Sequence, residues 1–259
     1  MRLPDQTFLA KLADAADKET LSRFRKRQAV SSKPKEGYSF DPVTEADRAS
    51  EFAMRELIAR EYPEHAISGE EYGSAGEGPV RWVLDPIDGT RPYLCGIPVW
   101  GTLIGVTVDD VAIMGMMSQP VTGERFWADP NGSWLDVHGI RSRLASSSQT
   151  SLSDAILHTN SPEQVKRNSE VNFSGLSETV KLTRYGGECY AFAMLAAGQI
   201  DLCIEFNLQP YDIVALIPII EQAGGVITTL AGKRPEAGGK ILASANEELH
   251  EAALALLAG

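Results

Sequence analysis

Residues 81–90 carry the side chains whose types and spacing best suit catalysis. They read Arg-Trp-Val-Leu-Asp-Pro-Ile-Asp-Gly-Thr, so an apolar stretch runs into two acids three residues apart, Asp85 and Asp88. Because Pro86 restricts the residue before it to an extended conformation, we expect a strand to end at Asp85 and the chain to turn there. Both carboxylates and the Ile87 carbonyl would then converge on one point, which suits a hard cation.

Glycine and threonine follow this acidic pair and suit an anion. Gly89 and Thr90 would present backbone N–H groups to a phosphate, as a turn that enters a helix can. Taken alone, the segment is also typical of a surface turn, since Asp-Pro and Asp-Gly are frequent turn dipeptides. An EF-hand is excluded because its loop needs oxygen ligands at alternate positions and a later glutamate.

Other acids stand where predicted strands end or helices begin. Glu70 and Glu71 end a β-like run, Asp212 begins an apolar helix, and Asp47 lies in a capping box that opens at Thr44. Each acid has a structural explanation by itself, as a solvated pair or a helix cap. Together they favour a cation cluster, because such a cluster needs acids from the ends of separate elements.

These motifs resemble those of the inositol monophosphatase superfamily, the magnesium-dependent, lithium-sensitive phosphomonoesterases. The family pattern is an acidic pair after a strand, then D-P-[IL]-D-[GS]-T, then W-D-x-x-[AG]. Here the three motifs are residues 69–71, 85–90 and 211–215, and the similarity extends over residues 41–225. Tyr211 stands in place of the usual tryptophan, which leaves the metal-binding acid unchanged.

The resemblance implies a metal site with about two or three Mg²⁺ ions, and Mn²⁺ suits the same oxygen ligands. One ion would be held by Glu70, Asp85 and the Ile87 carbonyl, and a second by Asp85, Asp88 and Asp212. A water activated by the metal would then hydrolyse the ester without a covalent phosphoenzyme.

The resemblance also implies roles around the metals. Thr90 and Glu70 form the water-activating pair, and Asp47 orients Thr90. The backbone N–H groups of Gly89 and Thr90 bind the phosphate oxygens. The predicted catalytic residues are therefore Glu70, Thr90 and Asp47.

Glu188 and Glu205 carry the substrate prediction. Glu205 resembles the glutamate that contacts the alcohol portion in inositol phosphatases, and Glu188 begins a helix that faces the same pocket in the family fold. A helix-dipole acid is the structural alternative for Glu188. A second acid near the pocket favours an alcohol portion with positive charge.

Further segments resemble the histidinol-phosphatase branch of the superfamily, namely residues 98–104, 187–192, 209–212 and 215–218. The predicted reaction is hydrolysis of L-histidinol phosphate to L-histidinol and phosphate, in histidine biosynthesis. Inositol-1-phosphate phosphatase is the alternative enzyme, and a binding protein without turnover is the alternative class.

Composition limits the partners. The 259 residues include 24 Lys+Arg and 35 Asp+Glu, a net charge of −11, so nucleic-acid binding is disfavoured and a small-molecule phosphate monoester is expected. The three cysteines form no C-x-x-C pair, which disfavours zinc and a disulfide scaffold. Without a signal-peptide pattern or an apolar run near ~18 residues, the expected location is cytoplasmic, with no membrane partner.

The first half of the chain, residues 1–145, is predicted as α+β with most of the metal ligands. A helix over 4–28 leads through a polar link ending at Gly37, and a second helix begins at Thr44. Residues 31–37 suit either a mobile loop near the site or an inert linker. Asp109 and Asp110 predict a hairpin turn and hence an antiparallel pair. The predicted strands are 66–69, 81–84, 101–108, 111–117, 125–128 and 133–137.

The second half, residues 146–259, is predicted as layered α/β with the substrate-pocket residues, because strands and helices alternate there. One helix is expected over 211–223. The resemblance implies that both halves form one compact αβαβα sandwich of the inositol monophosphatase type, and commonly a homodimer.

Overall fold

The computed structural model describes residues 2–27, 29–35 and 38–258. The chain begins with α1 (Gln6–Arg23), which Asp5 caps by accepting the Phe8 N–H at 3.0 Å. The predicted helix end at Gln28 lies outside the described residues, and the helix stops earlier, before Arg25 with its left-handed φ of 59°.

A hairpin replaces the polar link predicted before α2 (Glu45–Glu61). Strands β1 (Val30–Lys35) and β2 (Tyr38–Thr44) pair antiparallel, with Val30 opposite Thr44. The prediction was wrong because polar side chains are typical of a linker, but they do not prevent strand pairing. The hydrogen bonds between two strands are made by main-chain N–H and C=O groups, which polar residues also have. Residues 36 and 37 of the predicted link lie outside the described residues, and the mobility of 31–37 stays a prediction.

The larger sheet has eight strands among the described residues, in the order β10-β9-β8-β7-β6-β5-β3-β4. Only β3 and β5 pair in parallel within this described sheet. Asp109 and Asp110 form the β6–β7 turn with positive φ, as the sequence predicts. The bounds are β3 (Ala66–Gly69), β4 (Gly73–Ala75), β5 (Val80–Asp88), β6 (Gly101–Val108), β7 (Val111–Gln119), β8 (Glu124–Asp129), β9 (Gly132–Val137) and β10 (Ile140–Arg143), with helix α3 (Thr90–Cys95) after β5.

Strand β5 continues past the point where it was predicted to end. Asp85 pairs with Leu103 and Asp88 with Gly101, so β5 contains one more residue than β6 between these pairs and bulges. The bulge accommodates Pro86, which has no N–H for the ladder, and the Thr102 hydroxyl donates to the Pro86 carbonyl at 2.8 Å. The bulge, rather than a strand end, therefore supplies the predicted turn.

The smaller sheet has five strands among the described residues, in the order β12-β11-β13-β15-β14. Strand β11 runs parallel to β12 and β13, and β15 runs antiparallel to β13 and β14. The elements of this part are β11 (Ile156–Thr159), α4 (Pro162–Arg167), α5 (Phe173–Thr179), β12 (Leu182–Tyr185), α6 (Glu188–Ala196), β13 (Leu202–Leu208), α7 (Pro210–Ile213), α8 (Leu216–Glu221), β14 (Val226–Thr229), β15 (Gly239–Ser244) and α9 (Glu247–Leu257).

The single helix predicted over 211–223 is divided into α7 and α8. Val214 and Ala215 between them keep right-handed helical dihedral angles. Pro218 explains the break, since it has no N–H to donate to the carbonyl of Val214 four residues earlier. The break leaves α7 as a separate turn that carries Asp212.

Apolar side chains divide the fold into alternating layers. Helices α1 and α2 cover one face of the large sheet, α6 and α8 lie between the sheets, and α5 and α9 cover the outer face of the small sheet. This confirms the predicted αβαβα order. The predicted division near residue 146 stays a prediction. Within the described part of the chain, no helix is both long and apolar enough to cross a bilayer.

Candidate active site

Three carboxylates from two elements form an acidic cluster. Asp85 and Asp88 flank the bulge in β5 and Asp212 lies on α7, and one oxygen from each lies within 4.8 Å of the others. Glu70 follows β3, and its N–H donates to the Leu84 carbonyl at 3.1 Å, which places its backbone beside β5 directly before Asp85. The structure thus brings the predicted metal ligands together.

The environment of Asp85 suits a bound cation. The residue is 1% exposed, and burial together with the charges of Glu70, Asp88 and Asp212 raises the pKa of its carboxyl well above the ordinary value. A nearby divalent cation would favour the ionised form and reverse this shift.

Main-chain donors fix the carboxylates of this acidic cluster. The Ile87 N–H donates to Asp85 Oδ1 at 3.0 Å, and the Cys189 N–H on α6 donates to Asp88 Oδ2 at 2.6 Å. The Gln209 N–H donates to Asp212 Oδ2 at 2.6 Å, so Asp212 also caps α7. Asp212 therefore caps α7 and also belongs to the acidic cluster.

Asp47 joins helix α2 to Thr90. Its Oδ2 accepts the Thr44 N–H at 2.8 Å and the Thr44 hydroxyl at 2.6 Å, which completes the predicted capping box. Its Oδ1 lies 3.4 Å from Thr90 Oγ1, which also lies 3.2 Å from the Ile87 carbonyl. The predicted role of Asp47, to orient Thr90, requires this contact between the Asp47 carboxylate and the Thr90 hydroxyl.

Gly89 shapes the entrance to α3. Its φ of 89° is left-handed, and a Cβ there would lie 3.0 Å from Cγ of Glu188, so a side chain would be strained and crowded. Helix α3 begins at the next residue, Thr90, and the first-turn N–H groups of a helix have no acceptor within it. Gly89 and Thr90 both border the pocket, as predicted for phosphate-binding residues.

Glu188, at the start of α6, and Glu205, on β13 of the small sheet, border the same pocket. Glu205 on β13 is 4% exposed, and burial and the charges of Glu188, Asp88 and Asp212 raise its pKa well above the ordinary value. Burial and the charge of Asp88 raise the pKa of Glu188 to about 7. Each carboxylate would therefore gain from a cationic group between them.

Asn160 and Arg91 also border the pocket and were not predicted. Asn160 Nδ2 donates to Glu188 Oε2 at 2.5 Å, and both Asn160 and Arg91 act to lower the pKa of Glu188. Asn160 follows the carboxyl end of parallel strand β11, a position that often carries binding residues and could have signalled it. Glu188 itself has an uncommon φ of 48°, which is typical of functional sites.

The donor set tests which metal the pocket fits. Among the described residues that line it, none is histidine or cysteine, and the candidate ligands are carboxylate and carbonyl oxygens. Such a set fits Mg²⁺ or Mn²⁺. Every predicted site residue borders this pocket except Asp47, which lies behind Thr90.

The chain is similar to known proteins in sequence and in fold. A sequence model of the inositol monophosphatase family matches residues 4–258. The chain is 41% identical over 226 residues to the bifunctional phosphatase IMPL2, chloroplastic, of Arabidopsis thaliana; this covers 86% of the chain and 63% of that longer protein. It is 36% identical over 263 residues to a histidinol-phosphatase of Streptomyces coelicolor, which covers 98% of the chain and 97% of that protein.

A solved structure of an inositol monophosphatase from Zymomonas mobilis has the same fold. Its TM-score is 0.85 at 32% identity, with 97% of this chain and 96% of that chain covered.

Proposed function

The chain belongs to the inositol monophosphatase family and is a phosphoric monoester hydrolase, and on this basis we propose that its substrate is L-histidinol phosphate. One observation carries the proposal: Glu188 and Glu205 border the pocket that also holds Asp85, Asp88 and Asp212. Two carboxylates beyond the metal cluster favour an alcohol portion that carries an ammonium or imidazolium group.

In this proposal the acidic cluster holds the metal ions. Glu70, Asp85 and the Ile87 carbonyl would hold one Mg²⁺, and Asp85, Asp88 and Asp212 would hold a second, with Mn²⁺ as the other suitable ion. Bound divalent cations supply Lewis acidity, which neutralises phosphate charge and lowers the pKa of water.

The residues of the chain orient the reactants. Asp47 fixes the Thr90 hydroxyl, and Thr90 with Glu70 orients the attacking water, whose proton a Glu70 oxygen accepts. The backbone N–H groups of Gly89 and Thr90 hold phosphate oxygens in place. Water attacks phosphorus as the bond to the histidinol oxygen breaks; this oxygen keeps the bonding electron pair and takes a proton from solvent to leave as histidinol.

Glu188 and Glu205 select the alcohol. A cationic portion between them favours the ionised form of both carboxylates, so binding offsets the burial that raises their pKa values. Asn160 holds Glu188 toward the pocket. Inositol-1-phosphate is the second candidate substrate, and Glu205 would then accept a hydrogen bond from an inositol hydroxyl. The similarity to the inositol monophosphatase from Zymomonas mobilis favours this candidate.

The proposal also includes assembly and location: the protein forms a homodimer in the cytoplasm. It acts on a small phosphate monoester and has no nucleic-acid or membrane partner. The net charge of −11 supports the exclusion of nucleic acid.

Removing the charge of Glu188 tests the selection. For Glu188→Gln, we expect kcat/KM for L-histidinol phosphate to fall at least about tenfold, or about 1.4 kcal/mol, because a cation loses its partner. For myo-inositol-1-phosphate, we expect less than about threefold change. Phosphate release at fixed Mg²⁺ measures both.

Glu178→Gln is the matched control, since Glu178 is exposed on α5. It should leave both kcat/KM values unchanged. Equal losses for the two substrates with Glu188→Gln, or no loss for either, would reject charge selection by Glu188.

A further inference from the structure

Helix α2 presents two buried carboxylates on one face, and only one of them has a role in the mechanism above. Asp47 and Glu51 lie four residues apart, which places them one above the other along the helix. Glu51 is 0% exposed and does not line the pocket. A carboxylate buried so completely requires strong hydrogen-bond donors.

Those donors belong to the turn that carries Glu70. The Glu71 N–H donates to Glu51 Oε2 at 2.6 Å, and the Tyr72 N–H donates to Glu51 Oε1 at 3.2 Å. These N–H groups directly follow Glu70, in the three-residue turn between β3 and β4 that the Gly69–Gly73 pair closes. Glu51 therefore holds the main chain next to a proposed metal ligand.

Arg55 also binds both Glu51 and the turn between β3 and β4. Its Nε donates to Glu51 Oε1 at 2.7 Å, which balances the buried charge, and its Nη2 donates to the Gly73 carbonyl. The guanidinium thus ties the carboxylate to the far end of the same turn. Charge-assisted bonds of this kind are stronger than neutral ones.

Gly69 makes room for the carboxylate. A Cβ at this position would lie 2.0 Å from Glu51 Oε1, so any other residue would displace Glu51 from the turn. The glycine before the acidic pair and the glutamate on α2 consequently act as one unit.

We propose that Glu51 is a positioning residue that fixes the turn of Glu70 and thereby sets the metal affinity of the site. The proposal rests on the proposed role of Glu70 as a metal ligand. Groups that orient metal ligands typically contribute 10–100-fold to metal affinity or activity, roughly the range expected here.

Metal binding by substrate-free protein tests the proposal. Glu51→Gln retains the shape but turns an NH₂ group toward one of the two main-chain donors, which leaves that donor unpaired. We expect the Kd for Mn²⁺, measured from the EPR signal of the free ion, to rise at least about tenfold. Gly69→Ala retains every charge and displaces Glu51, so it should raise the Kd similarly and serves as the second variant if Glu51→Gln does not fold.

Two control variants on α2 separate positioning from charge and stability. Glu56→Gln removes an exposed charge, and Ile58→Val shortens a buried side chain seven residues after Glu51, about two turns further along the helix. Both should keep the Kd within about twofold of the wild-type value, at temperatures where circular dichroism shows folded protein.

Glu70→Gln separates the two proposals. A raised Kd for Glu70→Gln with a wild-type Kd for folded Glu51→Gln and Gly69→Ala would overturn only the role of Glu51. An unchanged Kd for Glu70→Gln would overturn the assignment of Glu70 as a ligand, and the role of Glu51 with it.

Discussion

At the residue scale, single carboxylates combine local and long-range contacts. Asp47 caps its own helix through Thr44 and also contacts Thr90, which lies 43 residues away. Spacing within a motif predicts the first contact, because a capping box is local. The second contact could be predicted only by family resemblance. Glu51 and Asn160 were missed because the contacts that tie them to the site are with residues 20–28 positions away in other elements. The local contact of Glu51 with Arg55, four residues away, is also typical of an ordinary ion pair on a helix.

Asp88 provides the residue-scale test of the metal cluster. For Asp88→Asn, kcat/KM should fall at least about a hundredfold, or about 2.7 kcal/mol, because the site loses a charged ligand. The amide oxygen can still accept the Cys189 N–H, so the fold should persist. Phosphate release with Mg²⁺ and thermal unfolding by circular dichroism measure these two expectations.

Asp109→Asn is the matched control for that variant. Asp109 is exposed in the β6–β7 turn with a φ of 49°, a conformation that asparagine tolerates. It should retain wild-type turnover. Near-wild-type turnover of Asp88→Asn would mean that Asp88 is not a ligand.

At the element scale, the bounds of regular strands could be predicted better than their irregularities. The predicted bounds of β3 and β6 agree with the structure, since apolar β runs between turn residues define them. The bulge at Pro86 and the hairpin of β1 and β2 were not predicted. A proline is typical of a strand end as well as of a bulge, and the polar residues 31–37 are typical of a loop, so the local residue pattern indicates neither feature.

His250 supports a prediction about how α9 docks. Its Nε2 lies 2.9 Å from Thr228 Oγ1 of β14 and its Nδ1 lies 3.0 Å from Ser244 Oγ of β15. Burial lowers the pKa of His250 from 6.5 to about 4. As the pH falls, His250 therefore binds a proton in the unfolded chain at a higher pH than in the folded protein. The contribution of His250 to the free energy of unfolding is fully present above pH 6.5 and is lost as the pH falls to about 4.

His250→Gln removes this titration. Between pH 7 and pH 4, the free energy of unfolding should fall by about 2 kcal/mol less in the variant than in the wild type, after allowance for solvent screening. Urea unfolding at several pH values measures this difference. His138→Asn, in an exposed turn, should keep the wild-type pH dependence. Identical pH dependence of His250→Gln and wild type would contradict the docking role.

At the scale of the whole molecule, the site forms where the two sheets approach each other. Asp85 and Asp88 come from the large sheet, Glu205 from the small sheet, and Glu188 from helix α6 between them. The apolar layer of α6 and α8 sets the distance between the two sheets, and thereby between the acids that each sheet carries. Alternating strands and helices predicted an α/β second half, whereas the layer order followed from family resemblance, because contacts between sheets leave no local periodicity.

The most direct measurement is phosphate release by the purified protein with Mg²⁺, comparing kcat/KM for L-histidinol phosphate and myo-inositol-1-phosphate under identical conditions. The acids of the pocket predict a preference for histidinol phosphate of about tenfold or more, which is about 1.4 kcal/mol of differential transition-state binding. Equal values, or a preference for inositol phosphate, would contradict the proposed substrate.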